Sequence, residues 1–171
     1  MKRKIILLLI ALLTVCLAVS AVSAWEFSFG SSSSSSSSVS SDGDVATVDY
    51  KDGVLKINDK EFKIPDGYTQ NDNGTLTGAD ANMTGADGAK MSAAKFTNGD
   101  KTIIVKYIYT NKGELDKYTP ATSDAQNQTI SAHAGYLEKN TDGTVTFTYL
   151  EEGKIIQIDA PDEATMNEIL K

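Results

Sequence analysis

Apolar and polar residues alternate along most of the chain from Val45 onward, which is typical of β-strands with one buried face. The pair Asp52-Gly53 lies between two such alternating segments. It favours a tight hairpin, because both central positions of this turn take a positive φ. The hairpin places Tyr50 opposite Leu55. A second turn near residues 59–60 adds a third strand, places Phe62 opposite Ile57 and extends the same apolar face.

Two further hairpins are predicted downstream. The first is centred on Asn98-Gly99 and leads into the segment 102–110, the most β-prone in the chain. Because apolar residues occur on both faces of this segment, we expect a central strand. The second hairpin turns at Glu152-Gly153 and places Tyr149 opposite Ile156. Thr144, Thr146 and Thr148 then share the face opposite to the apolar one.

The C-terminal segment predicts a short helix. Pro161 and the acidic residues after it are typical of a first helical turn. Met166, Ile169 and Leu170 form one apolar stripe that would dock on the sheet. A shorter helix is predicted over 114–118. The fold class is therefore α+β, with an antiparallel β-sheet built from hairpins, a short C-terminal helix packed on it, and an N-terminal apolar helix outside the domain.

The N-terminal segment predicts export. Three basic residues at positions 2–4 precede an apolar run over 5–22, and Ala24 offers a cleavage site. This pattern is that of a signal peptide over 1–24, but a retained signal-anchor spanning the membrane through residues 5–22 fits as well. A lipoprotein attached through Cys16 is a weaker alternative, because Val15 is a poor residue before a lipidated cysteine.

A polar spacer follows the apolar run. Residues 25–44 contain three aromatic residues, which suit a membrane interface, and then the unbroken serine tract 31–38. Such a tract behaves as a flexible linker. A spacer is most useful when its other end is fixed, which favours the anchor. The predicted organisation is a leader over 1–24, a linker over 25–44 and a single α+β domain over 45–171.

Charge and cysteine content exclude several functions. Without the leader, 13 basic and 23 acidic side chains remain, a net charge of −10. Nucleic acids and anionic membrane surfaces are therefore unfavourable partners. The only cysteine, Cys16, lies in the leader, so the domain contains no disulfide and no thiolate metal site.

An acidic stretch over 66–87 suggests a calcium-binding site. Asp72, Asp80, Asn82 and Asp87 are its candidate ligands. The segment from Asp80 copies only the first half of an EF-hand loop and lacks the bidentate Glu. A solvated loop over 69–90 is the alternative. Three sequons, at Asn73, Asn82 and Asn127, are candidates for N-glycosylation of an exported chain.

Candidate catalytic residues are lacking. His133 is the only histidine, and no nucleophile elbow or phosphate-binding loop is present. We expect His133 to lie in a strand or turn. The sequence therefore predicts no catalytic residue, no bound cofactor and no enzymatic activity. A small hydrolase that uses His133 and its nearest carboxylate is a remote alternative.

Several turn and core segments follow one another in a characteristic order. They are 62–68, 96–101, 129–137, the Phe-x-Tyr strand at 147–149, 152–154 and 162–163. This order resembles that of small exported domains of unknown function from methanogenic archaea, which often follow an apolar segment and a serine-rich spacer. The resemblance covers roughly Val54 to Lys171 and implies a fold but no activity.

The sequence thus predicts a non-enzymatic extracytoplasmic domain, tethered to the outer face of the cytoplasmic membrane or secreted. Its role would be to bind a surface or envelope partner. The alternative is a calcium-dependent binding module that uses the 66–87 segment.

Overall fold

The computed structural model of the protein describes residues 45–81, 88–120 and 122–171. The predicted leader and spacer lie outside these ranges, and so does the predicted N-terminal apolar helix. The described residues form ten strands in two antiparallel sheets and one short helix. No helix within these ranges has the length and apolar character needed to cross a membrane.

The first three strands form a sheet of their own, in the order β1-β2-β3. They are β1 (Val48–Lys51), β2 (Val54–Ile57) and β3 (Lys60–Lys63). Tyr50 pairs with Leu55, as predicted, and Asp52 has a φ of +52°. The second turn is one residue earlier than predicted, because Asn58 takes the left-handed conformation. Phe62 consequently pairs with Leu55 rather than with Ile57.

The second sheet has seven strands in the order β4-β5-β6-β10-β9-β8-β7. The hairpin at Glu152-Gly153 has the predicted register, with Tyr149 opposite Ile156. In the β5–β6 hairpin the turn is formed by Gly99-Asp100, one residue later than predicted. The strands are β4 (Thr69–Asp80), β5 (Ala89–Asn98), β6 (Lys101–Thr110), β7 (Gln126–Ile130), β8 (His133–Lys139), β9 (Val145–Glu151) and β10 (Lys154–Ala160).

The predicted loop over 69–90 is wrong for the residues that the structure describes. Residues 69–80 form the edge strand β4, and β5 begins at Ala89. The pairing is irregular, with register shifts on either side of Leu76. Gly74 is buried, and an added Cβ there would lie 2.6 Å from Cβ of Lys95. The composition resembles that of a loop because this strand needs bulges and a close approach to β5.

One helix, α1 (Glu163–Ile169), follows β10. The Asp162 carboxylate accepts a 2.7 Å hydrogen bond from the backbone N–H of Thr165, which caps the helix as its acidic start predicts. The second predicted helix, over 114–118, is wrong. That segment is irregular and lies on the large sheet, where Leu115 donates its N–H to the carbonyl of Gly153. Leu115 and Tyr118 thus pack against strands instead of forming a helical stripe.

The main core lies between the two sheets, with α1 closing one side. A second, smaller cluster lies on the opposite face of the seven-stranded sheet, beneath Leu115 and Tyr118. The α+β class is confirmed in its coarse form, as antiparallel sheets with a short C-terminal helix. The prediction of one continuous sheet missed the division into two. Fully buried core side chains include Leu55, Phe62, Phe96, Tyr107, Phe147, Ile158 and Met166.

Candidate functional site

The predicted calcium ligands do not converge within the described residues. Asp80 pairs with Lys90, whereas Asn71, next to Asp72, pairs with Lys95. Lys90 and Lys95 are five positions apart on β5, so Asp72 and Asp80 lie roughly 15 Å apart along the strand. Two ligands of one calcium ion each lie about 2.3–2.6 Å from it, so Asp72 and Asp80 cannot bind the same ion.

Asp80 already has a cationic partner. Its Oδ1 lies 2.6 Å from Nζ of Lys90, and this hydrogen bond and charge raise the pKa of Lys90. Asn82 and Asp87 lie outside the described residues, so their part of the calcium prediction stays a prediction. Across ranges 45–81, 88–120 and 122–171, no group of three or more histidine, cysteine or acidic residues could hold a metal ion.

A continuous polar network crosses the outer face of the large sheet, by which we mean the face turned away from β1–β3 and α1. Lys106 lies on β6, Gln157 and Asp159 on β10, and Thr146 and Thr148 on β9; these five residues are the outer-face network. Their strands are adjacent, and Gln157 pairs in register with both Lys106 and Thr148. Strand alternation therefore places all five side chains on one face.

Lys106 and Asp159 form the charged centre of this network. Nζ of Lys106 donates to Oδ2 of Asp159 and to Oε1 of Gln157, each at 2.9 Å. Thr146 donates to the other oxygen of Asp159 at 2.8 Å. Only 15% of the Lys106 side chain and 26% of the Asp159 side chain is exposed. Most of this ion pair is thus shielded from water. Hydrogen bonds are electrostatically stronger in such surroundings than at an open surface.

The network continues on both sides. Nε2 of Gln157 donates to Thr148 at 3.3 Å, and Nδ2 of Asn140 donates to Thr146 at 3.2 Å. Among the described residues, every buried side-chain nitrogen and oxygen atom has a hydrogen-bond partner. The buried polar atoms of the network are therefore all hydrogen-bonded within the protein.

Two tyrosines border this network. Tyr118 comes from the irregular segment and Tyr136 from β8, and their ring centroids lie 6.1 Å apart. Burial raises the pKa of Tyr118, and the negative charges of Glu138 and Asp159 act in the same direction, against a hydrogen bond with Thr148. Both rings are partly exposed. They give the polar face an aromatic border, a combination that suits recognition of polar ligands.

A second group of charges lies where hairpins end, at Asp59, Lys60, His133, Glu151 and Glu152; we call it the hairpin-end cluster. Nζ of Lys60 lies 2.8 Å from Glu152 and 3.2 Å from Glu151. Burial works against the charge of Lys60, but these hydrogen bonds outweigh it and raise its pKa. The cluster thereby links β3 of the small sheet to the β9–β10 turn.

His133 is the first residue of β8, in agreement with the predicted strand position, and Gly135 lies inside the same strand. Its Nδ1 is 3.6 Å from Glu151 Oε2, and its ring lies 4.4 Å from that of Tyr149. Glu151 is also the partner of Lys60. The carboxylate next to His133 is therefore shared with Lys60.

Tyr107 connects the core to the same end of the molecule. Its hydroxyl donates to Oδ1 of Asp59 at 3.1 Å and accepts from Nδ2 of Asn58 at 3.3 Å. Burial raises the pKa of Tyr107 to about 12. For Asp59, burial alone would raise the pKa, but hydrogen bonds from Asn58, its own backbone and Tyr107 lower it overall. The tyrosine stays protonated and holds the β2–β3 turn against β6.

The chain is held firmly at the first described residues. Ala46 donates its N–H to the Tyr109 hydroxyl at 3.1 Å, and its carbonyl accepts from Ser92 at 2.6 Å. Ser92 is fully buried and also accepts from the N–H of Gly78. An added Cβ at Gly78 would lie 2.8 Å from Val45. Hydrogen bonds and close packing thus fix residues 45–46 to β4, β5 and β6, next to the predicted spacer.

Sequence reasoning missed most of the outer-face network. It placed Thr146 and Thr148 on one face, and this is confirmed by their register. Lys106 and Asp159 were missed because they lie 53 positions apart in the chain, and only the pairing of β6 with β10 brings them together. The signal that could have indicated the network is a polar residue on the outer face of each of three adjacent strands, namely Lys106, Gln157 and Thr148.

No protein family, curated protein or solved structure was found to match this chain. The resemblance to exported archaeal domains therefore stays a prediction.

Proposed function

We propose that this protein is a non-enzymatic extracytoplasmic domain, tethered to the membrane by its N-terminal apolar segment, that binds an envelope or surface partner. The binding surface in this proposal is formed by the partly exposed members of the outer-face network, Lys106, Gln157 and Asp159, with Tyr118 at its border. The observation that carries the proposal is the largely buried Lys106–Asp159 pair at the centre of the polar, hydrogen-bonded part of the outer face.

Preorganisation supports a binding role for this face. Side chains that are already ordered lose little conformational entropy when a partner arrives. Thr146 and Thr148 are buried, and Lys106 is held by two acceptors. A face that served only to keep the protein soluble would not need charges shielded to this degree. Exposed charged side chains provide solubility without hydrogen bonds to one another.

The hydrogen bonds and burial of Ala46 support a tether at the N-terminal end. Two hydrogen bonds and burial of 96% of this residue fix the chain just where the predicted spacer joins the domain. A pull along the spacer would act on β5 and β6, the interior strands that contain Ser92 and Tyr109. The fold is therefore suited to being held from its N-terminal end.

Charge narrows the chemistry of the partner. The domain with its spacer has a net charge of −10. Long-range repulsion then disfavours nucleic acids and anionic lipid surfaces, whereas a neutral or basic polar surface is compatible with it. We infer that the partner presents hydrogen-bonding groups, since the outer face offers amide, hydroxyl, ammonium and carboxylate groups side by side.

A matched pair of substitutions tests this function. Gln157→Glu adds a negative charge within the outer-face network and removes the donor to Thr148. Gln126→Glu makes the same change on edge strand β7, where pairing with the core residue Leu137 places it on the other face. Binding is measured by cosedimentation of the purified full chain with envelope fractions at several salt concentrations.

The expected result is that Gln157→Glu weakens binding about tenfold or more, equivalent to about 1.4 kcal/mol, while Gln126→Glu binds like the unmodified protein. Equal binding by both variants would contradict the assignment of the outer face. Failure of the unmodified protein to bind at any salt concentration would contradict the binding function itself.

A further inference from the structure

Two of the three sequons lie on the two edge strands of the seven-stranded sheet. Asn73 is on β4 and Asn127 is on β7, which are the first and last strands in the sheet order. Both asparagines are exposed. The third sequon, at Asn82, lies outside the described residues. Edge strands present unpaired backbone groups, so proteins usually protect them against pairing with another chain.

The surroundings of Asn127 suit an attached sugar. Asn127 pairs in register with Tyr136 of β8, and directly paired residues project from the same face with Cβ atoms about 5 Å apart. Tyr136 is half-exposed, and Thr129, the hydroxyl residue of the sequon, is exposed. A sugar linked to Asn127 would therefore be close enough to pack on the apolar face of the Tyr136 ring.

Asn73 lies at the irregular part of the opposite edge. The register with β5 shifts between Asn71 and Leu76, and the N–H of Asn73 donates to the Asn71 side chain at 3.1 Å. The bulge leaves this part of β4 without a regular ladder to either side. It is also a place where a bulky group can be attached without breaking a strand pair.

We propose that Asn73 and Asn127 carry N-linked glycans in the exported protein and that these glycans shield both edges of the large sheet. In the transfer, the asparagine Nδ2 forms a bond to the anomeric carbon of a lipid-linked sugar phosphate or diphosphate. The carbon–oxygen bond to phosphate breaks, and the amide proton leaves with the released phosphate. The host's glycosylation machinery supplies the donor. This inference rests on export but not on ligand binding by the outer face.

Peptide mapping by mass spectrometry tests the modification, on the full-length protein purified from cells that produce it naturally. The expected result is a sugar mass on the peptides that contain Asn73 and Asn127. If both peptides are bare in protein recovered from outside the membrane, the glycan inference is overturned while the proposed binding function stands. One bare peptide overturns the inference for that edge. Recovery of the protein from the cytosol contradicts export, on which both proposals depend.

A second experiment tests shielding. Thr129→Val removes the sequon at Asn127 and preserves strand propensity, whereas Thr77→Val changes an exposed threonine of β4 outside any sequon. Light scattering of the purified proteins should show self-association for Thr129→Val and none for Thr77→Val. If the Asn127 glycan is lost and the protein stays monomeric, the shielding role is overturned.

Discussion

The two faces of the seven-stranded sheet are built from alternate residues of the same strands, yet over β9 and the C-terminal part of β10 they differ in chemistry. On β9, Phe147 points into the core with no exposed surface, while its neighbours Thr146 and Thr148 belong to the outer-face network. On β10, Ile158 is in the core and Asp159 pairs with Lys106. One face contributes stability by apolar burial, and the other presents ordered polar groups.

Under the proposed function, this difference separates the residues that fold the protein from those that would bind a partner. The core face is covered by the small sheet and α1, so its residues are unavailable to a partner. Among the described residues, the polar half of the outer face is covered only in part: Tyr118 lies against Thr148, which is buried, whereas Lys106, Gln157 and Asp159 stay partly exposed. A slip of one residue in the register of any central strand would exchange the two sets, which is why a strongly apolar core face also fixes the position of the polar network.

Truncation of the core face should have the largest effect. Phe147→Ala removes a fully buried aromatic ring and leaves a cavity in the main core. We expect the free energy of unfolding to fall by about 3–5 kcal/mol, measured by urea denaturation. Leu150→Ala on the same strand is the control, because 38% of that residue is exposed, and it should cost far less. Similar losses for both variants would contradict the placement of the core.

Removal of the charged centre of the outer face should have an intermediate effect. Asp159→Ala leaves the partly shielded ammonium of Lys106 without its carboxylate and should lower the free energy of unfolding by about 2 kcal/mol. Asp80→Ala breaks another aspartate–lysine pair, but 81% of that side chain is exposed, so we expect less than about 1 kcal/mol. Equal effects in urea denaturation would show that the network is no more ordered than an ordinary surface pair.

A methyl group at Gly135 should disturb the packing of β8 against β9. An added Cβ would collide with the carbonyl oxygen of Thr148 and approach the Phe147 ring to 3.0 Å. Gly135→Ala should therefore lower the free energy of unfolding by about 1–3 kcal/mol in thermal or urea denaturation. Ala134→Ser, at an exposed neighbouring position, is the control. An unchanged stability of Gly135→Ala would mean that β8 is not packed this closely on β9.

The helix cap should have the smallest effect and a defined pH dependence. The backbone N–H and hydroxyl of Thr165 lower the pKa of Asp162 against a smaller opposing effect of burial, with help from the charge of Lys101. A carboxylate whose folded pKa is below the unfolded value of about 3.9 stabilises the fold above that pH and loses this contribution as the pH falls through the folded pKa.

Asp162→Ala should therefore cost about 1 kcal/mol at neutral pH. The difference from the unmodified protein should shrink as the pH falls below about 4. Urea denaturation at a series of pH values measures both. A difference that stays constant into strong acid would show that the Asp162 charge does not cap the helix.

The sequence predicts the hairpins well where turn chemistry and alternation agree. In β9–β10 the left-handed residues Glu152 and Gly153 and the apolar pairs specify one register. The strand β4 could not be predicted in this way, because its Asn, Gly and Asp residues favour turns. It forms a strand through pairing with β5. Nothing in the local pattern shows that β1–β3 leave the large sheet, since this depends on packing across the core.

The site was less predictable than the fold. The three threonines of the β9 region indicate a polar face. The hydrogen-bonded network on that face, however, forms only with residues from strands distant in the chain, as the Lys106–Asp159 pair shows. The tyrosine border has the same origin, because Tyr118 reaches the sheet only through the irregular segment that contains Leu115. Such contacts are set by topology, which periodicity within one segment does not contain.

Photo-crosslinking in producing cells tests the central claim most directly. A photoreactive amino acid replaces Gln157 on the outer face in one full-length variant and Gln126 on the other face in a second. The account predicts that illumination links the Gln157 variant, but not the Gln126 variant, to an envelope component. Crosslinks of equal yield at both positions, or none at Gln157, would contradict it.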